Sequence, residues 1–278
     1  MQIGQPSRTA QRAAAHRAAH QLLEQGRIFH DPLAVRILGE SPGTLEAEAA
    51  ANPGRRGMRL FIAARARFAE SAVEAAFGRG VRQLVVLGAG LDTFAYRNPH
   101  ADLRVFEVDH PATQGWKRER LTEAGIAQPE SMRFAPVDFE HVSLAEGLAA
   151  AGFDPAAPAI FTWLGVVTYL TEAAVFATLG FIAGLAAGSE VVFTYSDPPE
   201  ARPVGDAAAH QRRAARVEAL GEPWLTYFTP QALHPRLRAL GFGEIEDLDP
   251  AQVSILYFGA PAGAPDRKGG HLIRARLT

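Results

Sequence analysis

Apolar and polar positions along the chain alternate between two rhythms. Short runs dense in aliphatic, aromatic and β-branched residues occupy positions 81–87, 102–109, 132–138, 157–164, 189–195, 242–248 and 271–277, and they read as strands. Between them the spacing is helical. In residues 9–25, Ala14, Ala18 and Leu22 recur at every fourth place, and Gly26 supplies a stop. Asp31 followed by Pro32 predicts an N-cap and a short helix to residue 38, whereas residues 41–57 carry a loop or short-helix pattern. Residues 58–77 are amphipathic: Phe61, Ala64, Phe68, Ala72 and Ala76 share one face, with Arg59, Arg67, Glu70 and Glu74 on the other. Helices are also expected from Pro111 to about 124, after Ser143, over 172–185 behind Thr171, and over 205–220. Two more follow Thr229-Pro230, stopped by Gly241, and Asp249-Pro250, running to 257, and residues 259–270 form a Gly/Pro-rich loop.

Strands alternating with helices predict an α/β fold with a mostly parallel sheet and helices on both faces. The last two strands follow each other as in a hairpin, so one of the seven should run antiparallel. A single domain is expected. Its parts are an N-terminal helical cover (1–57), a core (58–195), a helical lid (196–240) and C-terminal strands (241–278).

The strand over 81–87 stops at Gly88-Ala89-Gly90. Two glycines at a strand end permit a tight turn and close approach of the backbone to a ligand. The next strand ends in Asp109, at the spacing expected for an acceptor of ribose hydroxyls. A dinucleotide loop would carry a third glycine at the place held by Thr93. The loop therefore suits a nucleoside whose other arm is not a phosphate, such as S-adenosylmethionine (SAM).

Leu87-Gly88-Ala89-Gly90-Leu91-Asp92-Thr93, then Ala95-Tyr96-Arg97, and Phe106-Glu107-Val108-Asp109-His110-Pro111 resemble the leucine carboxyl methyltransferase family and its bacterial SAM-dependent O-methyltransferase branch. So do Ser7-Arg8-Thr9-Ala10, Asp31-Pro32-Leu33-Ala34, Ala64-Arg65-Ala66-Arg67-Phe68, Gly221-Glu222-Pro223-Trp224 and the closing Gly270-His271-Leu272-Ile273-Arg274-Ala275-Arg276. The likeness implies a Rossmann-like, seven-stranded class I methyltransferase that uses SAM and releases S-adenosylhomocysteine (SAH). It implies that Arg65 holds the SAM carboxylate and that Asp138 and Phe139 receive the adenine. Gly88, Ala89, Gly90, Asp92, Asp109, His110, Trp163 and Leu164 would complete the cofactor site. Leu164 stands where most of the family carries a glutamate for the SAM ammonium, so that contact needs another source. Tyr169 and Trp224 are the residues expected beside the methyl acceptor.

Two of these residues have a second reading. Arg65 falls on the apolar face of its helix, where a guanidinium needs an anion or must reach solvent, while Arg67 can pair with Glu70 in water. Asp138 could cap the helix that begins after Ser143 instead of meeting an adenine.

Composition narrows the chemistry. The chain of 278 residues has 47% hydrophobic and 21% charged residues, a formal charge of −2 and no cysteine. Disulfides, thiolate metal sites and cysteine nucleophiles are excluded, and no basic footprint, nucleic-acid motif or membrane span is visible. A cytoplasmic monomer or homodimer without a metal is expected. Methyl transfer from a sulfonium needs positioning and a water-poor site; a carboxylate acceptor needs no base, whereas a hydroxyl does. Tyr169, His110 and His271 are the candidates for that catalytic role. The resemblance makes a small metabolite the expected acceptor, an aromatic polyketide or a carboxylic acid. The rival readings are a nucleotide-dependent oxidoreductase and a SAM-binding protein without turnover.

Overall fold

The computed structural model describes residues 7–138, 141–201, 211, 214–215, 218, 223–261 and 269–278. Its centre is a seven-stranded sheet of β1 (Gln83–Leu87), β2 (Arg104–Asp109), β3 (Met132–Pro136), β4 (Ile160–Trp163), β5 (Glu190–Ser196), β6 (Phe242–Leu248) and β7 (Gly270–Leu277). The order across the sheet is β3-β2-β1-β4-β5-β7-β6. β7 lies antiparallel between β5 and β6, and the other adjacent pairs are parallel. β1 pairs with β2 on one side and β4 on the other, so the chain reverses its winding at β1 and opens a crevice beyond its carboxyl end.

Burial on both faces explains why the strand runs are apolar throughout. Val85 and Leu87 of β1 point into one core cluster while Leu84 and Val86 point into the other. The first cluster is closed by α6 (Leu144–Ala150), α7 (Glu172–Ala183) and α8 (Pro230–Ala239), and the second by α4 (Arg56–Gly78) and α9 (Pro250–Phe258). A third cluster joins α1 (Arg8–Leu23), α2 (Ala34–Leu38), α3 (Pro42–Ala51) and α5 (Pro111–Glu123) through Ala14, Ala18, Ile37, Leu45 and Leu121, and it also takes in Leu91 from the glycine loop. No described helix is long and apolar enough to cross a membrane.

Most element starts follow their capping chemistry. Ser7, Ser143, Thr171, Thr229 and Asp249 each accept a backbone N–H from the first turn of the helix that follows. Three expectations change. Residues 42–51 form a full helix, started by Ser41 and Pro42. Asp31 does not cap α2, whose N-cap is Leu33; its Oδ1 accepts from Leu33 N at 3.0 Å just ahead of the helix, and its Oδ2 pairs with Arg17 at 2.8 Å. Arg59 lies inside, bound through Nε and Nη2 to Glu24 at 2.8 Å each, because α1 packs over the face of α4 that periodicity assigned to solvent. The helix expected over 205–220 falls largely outside the described residues, along with His210, Arg212, Arg213 and Arg216; the described positions 211, 214, 215 and 218 are helical.

A candidate cofactor site at the end of β1

The loop beyond β1 folds as its glycines require. Gly88 and Gly90 take φ of +65° and +45°, a region that side chains disfavour. Both Gly88 and Ala89 donate their N–H to the Val108 carbonyl, at 2.8 and 3.1 Å, which ties the loop to the end of β2. A Cβ on Gly88 would sit 2.4 Å from Val166 Cγ2, and one on Gly90 would sit 2.9 Å from Ala10 Cβ. The loop is thus fenced by the β4–α7 connection on one side and by the first turn of α1 on the other.

Asp109 faces this loop. Its Oδ2 accepts from Gly90 N and its Oδ1 from His110 N, each at 2.7 Å. Burial pushes its carboxyl above the usual range, and those two N–H donors pull it back. His110 caps α5 by accepting from Ala112 N at 3.2 Å, and its Nε2 stands 3.8 Å from Asp138 Oδ2. The ends of β2 and β3 thereby bring His110 and Asp138 together. Asp138 does not cap α6, since Ser143 and Glu146 form the capping box there; its Oδ2 lies 3.2 Å from His141 Nδ1. Phe139 is outside the described residues. Asp92 accepts from Phe94 N at 2.8 Å and starts a single turn of 3-10 helix, Phe94–Tyr96.

Across the crevice, Arg65 of α4 reaches the end of β4. A Cβ on Gly165 would lie 2.4 Å from Arg65 Nη1, so the missing side chain leaves room for the guanidinium. Burial pulls the Arg65 pKa down to about 10, aided by repulsion from Arg17 and opposed by attraction to Tyr169 and Asp92. Among the described residues, none forms a hydrogen bond or ion pair with it. Arg67 is exposed, as its helical phase predicts, but Glu70 is not its partner: Glu70 binds Arg97, with Nη1 to Oε2 at 2.8 Å. Tyr169 sits in the turn Val167–Tyr169, and the segment carrying Trp224 is laced to that turn by Leu225 N to Thr168 O at 2.7 Å and Thr226 Oγ1 to Leu170 O at 2.5 Å.

Three expected site residues do not take the expected roles. The Trp163 indole is 2% exposed and packs against Phe193 with ring centroids 6.3 Å apart, so it fills the core and only its backbone reaches the strand end. Leu164 is half-buried against the α4 cluster and brings no charge in place of the missing glutamate. His271, a catalytic candidate, has both ring nitrogens engaged, with Asp247 at 3.0 Å and Asp197 at 3.3 Å, and stacks on Tyr195 at 4.5 Å. Burial alone would lower its pKa, but its hydrogen bonds to Asp197 and Asp247 outweigh burial and hold it at about 9. An imidazolium clamped in this way pins β5, β6 and β7 together and has no nitrogen free to act as a base.

A doubly wound sheet with strand order 3-2-1-4-5-7-6, a glycine loop and an acidic strand end at the reversal point defines the class I methyltransferase fold. The fold likeness is also seen in crystal structures. A duf574 family protein from Streptomyces avermitilis matches with a TM-score of 0.53 at 17% identity over 95% of this chain and 97% of its own. A protein from Bordetella parapertussis matches with a TM-score of 0.52 at 15% identity over 97% and 96%. The family model of leucine carboxyl methyltransferase matches residues 10–183, and the chain belongs to that family. Its relatives include YktD of Bacillus subtilis, 34% identical over 70% of this chain, and a Frankia alni protein, 36% identical over 77% of both chains. Both carry the name of candidate SAM-dependent methyltransferases. The chain spans about 65% of the length of YktD and of a similar Mycobacterium avium relative.

Proposed function

We propose that this protein is a SAM-dependent methyltransferase that methylates an oxygen, carboxylate or hydroxyl, on a small molecule. The observation that carries the reading is Arg65. A half-buried guanidinium with no ion pair among the described residues, set at the strand end beside a glycine loop, suits a carboxylate. The carboxylate of the SAM methionine arm is such an anion. Asp109 suits the ribose hydroxyls at the end of β2, and Asp138, followed in sequence by Phe139, suits the adenine edge. Bare backbone at Gly88, Ala89 and Gly90 lets the ligand lie close to the loop.

Bound SAM supplies a methyl group on a positively charged sulfur. The protein's part is placement. The site would hold an acceptor oxygen in line with that carbon, so that the new O–C bond would form as the C–S bond breaks and the electron pair of the broken bond would go to sulfur. Tyr169, which attracts Arg65, and Trp224, whose segment is bonded to the turn of Tyr169, suit the methyl acceptor, and Val166 beside Gly88 would limit water there. A carboxylate acceptor loses no proton, and the clamped His271 fits that simpler case. The buried Thr93 at the place of a third glycine speaks against a dinucleotide.

The test is incubation with SAM carrying a deuterated methyl group and a panel of small carboxylic acids and phenols, read by mass spectrometry. Base-labile methyl esters or base-stable ethers distinguish the two acceptor types. Full retention of label in SAM across a panel that includes both classes would count against turnover.

A further inference from the structure

Thr93 and Asp31 play no part in the roles assigned above, yet they lie at the centre of the most densely bonded polar group near the loop. Asp31, in the link between α1 and α2, has no side-chain exposure, and Arg17 of α1 has 11%. Arg17 Nε pairs with Asp31 Oδ2 at 2.8 Å while its Nη2 donates to the Leu91 carbonyl at 2.5 Å. The Thr93 hydroxyl donates to the same Asp31 oxygen at 2.7 Å and accepts from Arg97 Nε at 3.1 Å. Arg97 Nε is 3.5 Å from Asp31 Oδ1, and Arg97 continues to Glu70 of α4. Burial would raise the Asp31 carboxyl, but Arg17 and then Arg97 hold it below the usual range, so it stays ionised. Two arginines and two carboxylates balance, and every arm ends on either the loop or a helix beside it.

This wiring has a consequence for the ligand. α1 meets the loop through Ala10 against Gly90, through Ala14 and Ala18 in the cluster with Leu91, and through Arg17 on Leu91 O. A molecule lying across Gly88–Gly90 meets a loop whose far half is held by α1 and Asp31. We propose that Arg17, Asp31 and Thr93 are positioning residues that dock α1 on the glycine loop and make the two close on the cofactor as one unit. The inference rests on the SAM reading above and adds that the N-terminal helix takes part in cofactor affinity. Removing one member of a buried ion pair leaves the other uncompensated, so a small change here travels to both elements.

Thr93→Val keeps the shape and removes only the hydroxyl. Thr93→Ser restores the hydroxyl, and Asp31→Asn tests the charge. The full chain is titrated with SAH by calorimetry, and hydrogen exchange of residues 8–23 and 88–97 is followed with and without SAH. The expected result is a rise in SAH Kd of about tenfold for Thr93→Val and Asp31→Asn. Thr93→Ser should stay within about twofold of wild type. SAH should slow exchange in α1 of the wild type, and Thr93→Val should lose that slowing. A merely structural role would lower the melting temperature and leave the SAH-induced slowing intact. Thr93→Val binding SAH like wild type, or slowing α1 exchange as wild type does, overturns the proposal. If Asp31→Asn does not fold, Thr93→Val decides alone. Wild type that ignores SAH instead removes the SAM reading itself, a different and recognisable failure.

Discussion

Arg65→Ala is the perturbation with the most distinctive signature. Burial lowers the Arg65 pKa from its ordinary value to about 10, which corresponds to roughly 3 kcal/mol of penalty on the charged form. A ligand carboxylate relieves part of this and adds charge-assisted hydrogen bonds, and because the residue is half-buried, water already relieves some. The predicted loss of SAH affinity is about 1.5–3 kcal/mol, roughly 10- to 150-fold in Kd. Without ligand the same substitution removes a poorly compensated cation and some packing of its stem, two effects of opposite sign. The melting temperature should therefore move by no more than about 2 °C. Arg65→Lys should recover only part of the affinity, because one ammonium does not reproduce a two-pronged guanidinium. Arg67→Ala, on the exposed side, should change it by less than about 0.5 kcal/mol. Calorimetry on the four proteins with SAH is the assay. Arg65→Ala binding as tightly as wild type, or Arg67→Ala as the damaging change, refutes the reasoning and the assigned anion site with it.

Asp109→Ala should weaken SAH binding by about 2–3 kcal/mol, since it removes both a ribose acceptor and the partner of Gly90 N–H; unchanged affinity in the same titration would leave Asp109 a loop brace only. Gly88→Ala should destabilise the fold by about 1–3 kcal/mol in urea unfolding, because its Cβ meets Val166 at a positive φ; adding Val166→Ala should restore the steric share and not the backbone share. His271 has a folded pKa of about 9 against 6.5 unfolded, so its contribution is fully present below pH 6.5 and is lost as pH rises through about 9. The loss should amount to about 3 kcal/mol at most; it is read as a falling urea midpoint in wild type that His271→Gln does not share, and parallel profiles of the two proteins would contradict it.

What the sequence disclosed follows the range of the forces involved. Strand ends, the glycine loop, Asp109 and the closing antiparallel pair are written in local runs and spacings, and the structure shows them in the expected order, with β6 at Phe242–Leu248 as its pattern predicts. The phase of α4 correctly separated Arg65 from Arg67. Ion pairs between distant segments were not legible. Arg59 looked solvated because nothing in its own helix announces that Glu24 arrives from α1, and Glu70 looked like a partner for Arg67 because Arg97 lies 27 positions away. Thr93 drew notice as a glycine that was missing, whereas its hydroxyl is what the position supplies. Trp163 ends a strand, but alternation turns its side chain into the core.

The central claim is that the crevice beyond β1 receives SAM, and a titration of the intact chain with SAM, SAH and NAD tests it most directly. The account predicts saturable heat with SAM and SAH, lost in Arg65→Ala, and none with NAD. Binding of NAD with silence toward SAM and SAH would contradict it.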